Sequence, residues 1–236
     1  MEPAPVVILV HGAWHGPWAW EAVAALLAAE GIRNLAVDLP SKGFDPAVLG
    51  DLHDDARVVR AAVEAAQAPA LVVAHSYGGL PVSEGLAESV NTAHLIYLAA
   101  FMLVPGESLL DVRGGVEPDW WLTSEDGRTI LPDDPLQRFY ADCPPEVAER
   151  AAAAILPQRK DTFRQELRAA AWQRVPSTYV VCTRDNAVPP AAQERMSARA
   201  GTVSHIDSSH SPFLSRPAEV TAIIQETLAA VVAGAD

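Results

Sequence analysis

The chain has 236 residues, half of them hydrophobic and a fifth charged, with 30 acidic side chains against 17 basic ones and a formal net charge of −13. That length and apolar fraction suit one globular domain with a sizeable core, and the negative charge disfavours nucleic acid and acidic membrane surfaces as partners. No apolar run approaches the roughly 18 residues of a membrane span, and Cys143 and Cys182 fall in different surroundings, so they read as free thiols of a reducing compartment.

The first apolar run, Val6–Val10, has strand length and starts close to Met1. No secretory leader is therefore expected, and a cytoplasmic location is the plain expectation. Runs that are apolar throughout are buried on both faces of a parallel sheet, and ligands gather beyond the carboxyl ends of such strands. The loop that follows reads His11-Gly12-Ala13-Trp14-His15-Gly16-Pro17-Trp18. Gly12 lets backbone come close to a ligand, which makes the Ala13 N–H a candidate donor to an oxyanion. His11, at the strand end, reads as a residue that holds this loop. His11 and His15 are four residues apart, but on a loop with no third ligand in view they do not read as a metal site. No metal or cofactor is expected.

A helix is expected over Trp18–Glu30, a strand over Asn34–Asp38 and a helix over Leu52–Ala66. The next strand, Leu71–Ala74, runs into Ala74-His75-Ser76-Tyr77-Gly78-Gly79, and a helix is expected over Gly78–Glu88. A serine with small residues two positions to either side, on a strand-to-helix turn, reads as a nucleophile elbow. The turn is too sharp for larger flanking side chains, and it presents the hydroxyl at a helix N-terminus whose free N–H groups stabilise an anion. The Tyr77 N–H is the second candidate oxyanion donor. Ala74 stands where the usual pattern has glycine.

After a strand over His94–Leu98 the alternation breaks, and some seventy residues, about 103–172, intervene before the next core strand. A single crossover needs far fewer, so this segment reads as a cap. Helices are expected in it over Pro145–Ala154 and Thr162–Trp172. Trp120, Trp121, Leu122, Phe139 and Tyr140 give it a bulky apolar face, and Trp14, Phe101 and Phe213 lie on loops that could line the same pocket. Together with Gly12 these are the candidate pocket residues, and they suit a largely apolar substrate.

The strand Ser177–Thr183 ends at a loop that holds Asp185, where an acid belongs. A helix over Pro190–Arg199 and a strand over Thr202–Ile206 follow, then His210 on the loop before a final helix over Ala218–Val232. Ser76, Asp185 and His210 thus occur in the order Ser, acid, His. Asp38 precedes the serine, and Asp207 is too near His210 along the chain, so both are weaker candidates for the acid. Six strands alternating with helices imply a mostly parallel sheet with crossover helices.

These pieces resemble the α/β-hydrolase group that holds plant methylesterases, hydroxynitrile lyases and bacterial pyrethroid-hydrolase-like esterases. The matching motifs are HGAWHGPWAW, AHSYGG, Tyr97–Met102 with Pro105-Gly106, TRDNAVPP and HSPFLSRP. The resemblance implies one α/β-hydrolase domain, with its core at 1–102 and 173–236 and a mainly helical cap at about 103–172. It also implies a serine esterase acting on a small-molecule ester. The lyase branch carries Thr and Lys where this chain has Gly12 and Ser211, so the site resembles an esterase more than a cyanohydrin lyase. A decarboxylase, a lactone or thioester tailoring enzyme and a small-molecule receptor stay open as alternatives, as does a homodimer.

Overall fold

Strands and helices alternate from the first apolar run onward. The computed structural model describes residues 4–234. β1 (Val6–Val10) leads through α1 (Glu21–Ala29) to β2 (Asn34–Val37), and α2 (Leu52–Ala66) crosses to β3 (Ala70–His75). α3 (Gly79–Gly85) precedes β4 (Thr92–Leu98). The intervening segment carries β5 (Trp121–Thr123), β6 (Thr129–Pro132), α4 (Pro135–Phe139), α5 (Pro145–Ala154) and β7 (Gln158–Arg159). The alternation resumes with β8 (Ser177–Cys182), α6 (Pro190–Ser197), β9 (Thr202–Ile206), α7 (Pro212–Ser215) and α8 (Pro217–Ala233).

The main sheet has six strands in the order β2-β1-β3-β4-β8-β9, every pair parallel. β1, β3 and β8 are buried along their whole length because helices cover both faces. Alternate residues feed two cores. Ile8, Val10 and Val72 pack with Leu52, Val59 and Val63 of α2 on one side. On the other, Val7, Leu9 and Val73 pack with Val23 and Leu27 of α1 and Ile224 of α8. Burying each such side chain contributes about 1.5–3 kcal/mol before chain entropy is counted. α2 starts with Asp51 and Asp54 bonded to each other's backbone N–H groups, a capping box that fixes where its first turn lies. That turn delivers Asp55 to the interior.

The 103–172 segment differs from the expected pair of helices. Pro145–Ala154 is helical. Thr162–Trp172 is not: 3₁₀ turns at Lys160–Phe163 and Ala171–Gln173 overlap its two ends, with irregular chain between them. Phe163, Leu167 and Ala171 are spaced like one helix face and all are buried, but each anchors separately. Leu167 exchanges backbone hydrogen bonds with the stretch at Gly106 and Glu107 instead of with its own turn. The segment also forms a small antiparallel sheet, β5-β6-β7, so it is mixed in structure and not mainly helical. Its strands are too short for period-two patterning to show. Among the described residues no helix is long and apolar enough to cross a membrane.

Candidate active site

β3 ends in a turn whose sharpness is visible in the backbone. Ser76 has φ +52°, in the left-handed region that a non-glycine residue occupies at a cost of about 1–3 kcal/mol. The surrounding chain holds it there. A Cβ on Gly78 would lie 2.6 Å from the His11 carbonyl oxygen, and one on Gly79 would lie 2.3 Å from that of Phe101. Phe101 N–H also donates to the Ser76 carbonyl at 3.0 Å. Ala74, fully buried between β1 and β4, is tolerated because its methyl group points into the core.

Ser76, His210 and Asp185 come together from the ends of β3, β9 and β8. Ser76 Oγ lies 3.0 Å from His210 Nε2, and His210 Nδ1 lies 2.6 Å from Asp185 Oδ2. All three are buried. Asp185 Oδ1 accepts from the N–H groups of Ala187 (2.7 Å) and Val188 (2.8 Å), and Oδ2 also accepts from Gln193 Nε2 at 2.9 Å. A carboxylate that only accepts forces the proton onto His210 Nδ1, which leaves Nε2 free to accept from the Ser76 hydroxyl. His75 Nε2 donates to the His210 carbonyl at 2.9 Å, and burial holds the His75 pKa well below its ordinary value. The two weaker acids lie elsewhere. Asp38 pairs with Lys42 and lies 3.6 Å from His11. Asp207 pairs with Arg184 on the surface. His11 Nε2 accepts from the Leu39 N–H at 3.1 Å, which ties the loop after β1 to the end of β2.

Beside Ser76, the N–H groups of Ala13 and Tyr77 find no hydrogen-bond partner among the described residues, and both residues line the same cavity as Ser76 and His210. Donors with no partner at this place are what a developing oxyanion requires. The Tyr77 side chain points away, its hydroxyl donating to Asp55 Oδ2 at 2.7 Å. Asp55 is fully buried, and burial raises its pKa to about 7. His15, whose Nε2 accepts from Tyr140, is lowered by burial to about 3.

The cavity above Ser76 is narrow, with a volume of about 30 Å³, and it opens to solvent. Trp14, Phe101, Trp120, Trp121 and Phe139 line it as the sequence suggests. Leu109, Pro118, Phe163, Ala187 and Val188 join them, with Arg113 at the wall. Four expected pocket residues lie outside it. Leu122 alternates with Trp121 along β5 and is 56% exposed. Tyr140 spends its hydroxyl on His15. Phe213 packs behind the site on Trp20 and His75. Gly12 is needed for close approach, but to the elbow: a Cβ there would lie 2.8 Å from His75 Nδ1 and 2.9 Å from Ser76 Cβ.

The pattern of the alpha/beta hydrolase family matches residues 7–223. The chain belongs to this family. An alpha/beta hydrolase of Aspergillus novofumigatus, nvfD, is 30% identical over 94% of this chain and 95% of its own. Methyl jasmonate esterase 1 of Vitis vinifera is 27% identical over 93% and 95%. The crystal structure of a pyrethroid hydrolase from Sphingobium faniae superposes with a TM-score of 0.83 at 25% identity, covering 96% of this chain and 98% of that one.

In this hydrolase, sequence reasoning missed the residues that lie behind the loop and the elbow. Asp55, Ser41, Gln158 and Thr162 form a buried polar cluster drawn from α2, two loops and β7. Asp55 carried one signal: it is a charged residue on the buried side of an amphipathic helix, between Leu52, Ala56 and Val59.

Proposed function

We propose that this α/β-hydrolase cleaves small, largely apolar carboxylic esters through an acyl-enzyme on Ser76. The observation that carries the reading is the hydrogen-bonded row Ser76–His210–Asp185, set at a cavity that is also lined by Ala13 and Tyr77, whose N–H groups have no partner among the described residues. His210 Nε2 takes the hydroxyl proton as Ser76 Oγ bonds to the ester carbonyl carbon, and the electron pair moves onto the carbonyl oxygen. The N–H groups of Ala13 and Tyr77 hold that oxyanion. Asp185 keeps the imidazole in its productive tautomer and stabilises its protonated form. Collapse expels the alcohol, which takes the proton from His210. Water then attacks the acyl group with His210 again as base, and Ser76 is released with the acid product.

The substrate class rests on the lining, which is aromatic and aliphatic apart from Ser76, His210 and Arg113. The 103–172 segment supplies seven of its fifteen residues and serves as the substrate-binding cap. The esterase relatives support ester chemistry, and one of them, methyl jasmonate esterase 1, is named for a small methyl ester. Hydrolysis is favoured over cyanohydrin cleavage because position 12 has no room for the side chain that the lyase branch carries there. The test is steady-state turnover of a panel of methyl and p-nitrophenyl esters. Wild type hydrolyses the apolar members and Ser76→Ala hydrolyses none. Esterase rates retained by folded Ser76→Ala would end the proposal.

A further inference from the structure

From the Gly12 carbonyl to the Trp14 carbonyl, the loop that offers the Ala13 N–H is tied down at every polar backbone group but that one. The Gly12 carbonyl lies 2.8 Å from His11 Nδ1, which must be the donor because Nε2 accepts from Leu39. The Ala13 carbonyl accepts from His15 Nδ1 at 2.7 Å. The Trp14 N–H donates to Gln158 Oε1 at 3.2 Å, and the Trp14 carbonyl accepts from the Leu156 N–H at 2.9 Å. Between the Gly12 carbonyl and the Trp14 carbonyl, only the Ala13 N–H is free. Trp14 itself has φ +64°, a conformation that a bulky side chain adopts only under restraint. The loop therefore needs outside partners to hold its shape, and Gln158 is the one side chain that grips its strained residue by the backbone N–H.

Gln158 is oriented in turn by what lies behind it. The hydroxyls of Ser41 and Tyr77 both donate to Asp55 Oδ2, at 2.5 and 2.7 Å, and the Ser41 N–H donates to Oδ1 at 3.1 Å. With its proton committed to Asp55, Ser41 Oγ accepts from Gln158 Nε2 at 2.7 Å. That fixes which end of the amide faces Trp14. Gln158, Ser41, Asp55 and Tyr77 are each at most 1% exposed, so water cannot substitute for a missing partner. One unbroken run of hydrogen bonds thus joins Tyr77, which carries one free N–H, to Trp14, the neighbour of the other. The member next to Trp14, Gln158, belongs to the inserted 103–172 segment.

Resting on the Ser76 reading above, we propose that Gln158 is a positioning residue for the oxyanion hole. By gripping the Ala13–Trp14 peptide it aims the Ala13 N–H at the carbonyl that Ser76 attacks. The inserted segment is accordingly part of the catalytic frame as well as a cover for the pocket.

The experiment compares wild type, Gln158→Met and Ser41→Ala on one p-nitrophenyl ester, with rates normalised to the active sites titrated by a fluorophosphonate. Removing an oxyanion donor costs about 10²–10³-fold. A misaimed donor should cost less, so Gln158→Met is expected to lose about 10- to 100-fold in kcat with KM within about threefold, and Ser41→Ala to lose less in the same direction. Two ketones separate positioning from general damage. A trifluoromethyl ketone, which becomes an oxyanion on Ser76, should lose affinity in step with kcat/KM, whereas the matching methyl ketone should bind as to wild type. Protection of the Trp14 amide against hydrogen exchange should fall in Gln158→Met, a readout that needs no catalysis. Wild-type kcat and trifluoromethyl ketone affinity in Gln158→Met would overturn the proposal, as would equal losses for both ketones. Activity in Ser76→Ala would instead sink the underlying mechanism, and the exchange result would still report whether Gln158 holds the loop.

Discussion

Replacing Asp185 with asparagine tests the role of the acid with almost no change of shape. Asp185 accepts four hydrogen bonds, from Ala187 N–H, Val188 N–H, Gln193 Nε2 and His210 Nδ1. An amide has one acceptor end and one donor end. If its oxygen keeps the two backbone N–H groups, its NH₂ meets Gln193 and His210, and His210 must turn its proton to Nε2 to avoid a donor facing a donor. Nε2–H can no longer take the Ser76 proton. If the amide flips, its NH₂ opposes two backbone N–H groups instead. The first arrangement opposes a single backbone-independent donor and leaves the loop intact, so it should prevail. The tautomer it imposes costs about 10⁴ in kcat in serine proteases, or about 5.5 kcal/mol of barrier. One unpaired buried donor should also lower stability by about 1–3 kcal/mol. Initial rates on a p-nitrophenyl ester and urea denaturation measure both. A folded Asp185→Asn variant within tenfold of wild-type kcat would refute the reasoning.

Gly79→Ala should destabilise by about 1–3 kcal/mol in urea, because its methyl would sit 2.3 Å from a backbone oxygen that no rotamer change can move; unchanged stability would contradict the packing. His15 should make the fold acid-sensitive. Its folded pKa of about 3 lies below the ordinary 6.5, so its stabilising contribution is complete above pH 6.5 and is lost as pH falls towards 3. At about pH 5 the loss is about 2 kcal/mol, and the stability gap between wild type and His15→Gln should narrow by that amount from about pH 7. A constant gap would show that His15 can take up a proton in the folded state. Because Arg113 is the cavity's charged wall residue, a choline ester should be cleaved at least about fivefold less efficiently than its neutral dimethylbutyl counterpart, and added salt should shrink the difference. Equal kcat/KM values for the two esters would remove Arg113 from the account of selectivity.

Much of this was legible in the sequence because it depends on local pattern. Apolar runs of strand length, a serine between small residues, and an acid and a histidine just beyond later strands place Ser76, Asp185 and His210 at one edge of a parallel sheet. The inserted segment was legible as an interruption but not as a structure. Its strands span two to four residues, and Phe163, Leu167 and Ala171 keep helical spacing while tertiary contacts pull the chain out of a helix. The pocket was half legible. Aromatic type is visible in a sequence, but whether Leu122 or Trp121 faces inward depends on the register of a strand that pattern cannot fix. Asp55 could be suspected from its place on the buried face of α2, but its cluster with Ser41 and Gln158 could not be read, because those partners are distant in sequence and each alone looks like an ordinary surface residue.

The central claim is that Ser76 carries the acyl group. Stopped-flow mixing of wild type with excess p-nitrophenyl acetate should give a burst of nitrophenolate equal to the enzyme concentration. Acid quench and peptide mass analysis should then place an acetyl group on the peptide holding Ser76. Ser76→Ala should show neither. A stoichiometric burst in Ser76→Ala, or an acetyl group on a different residue of wild type, would contradict the account.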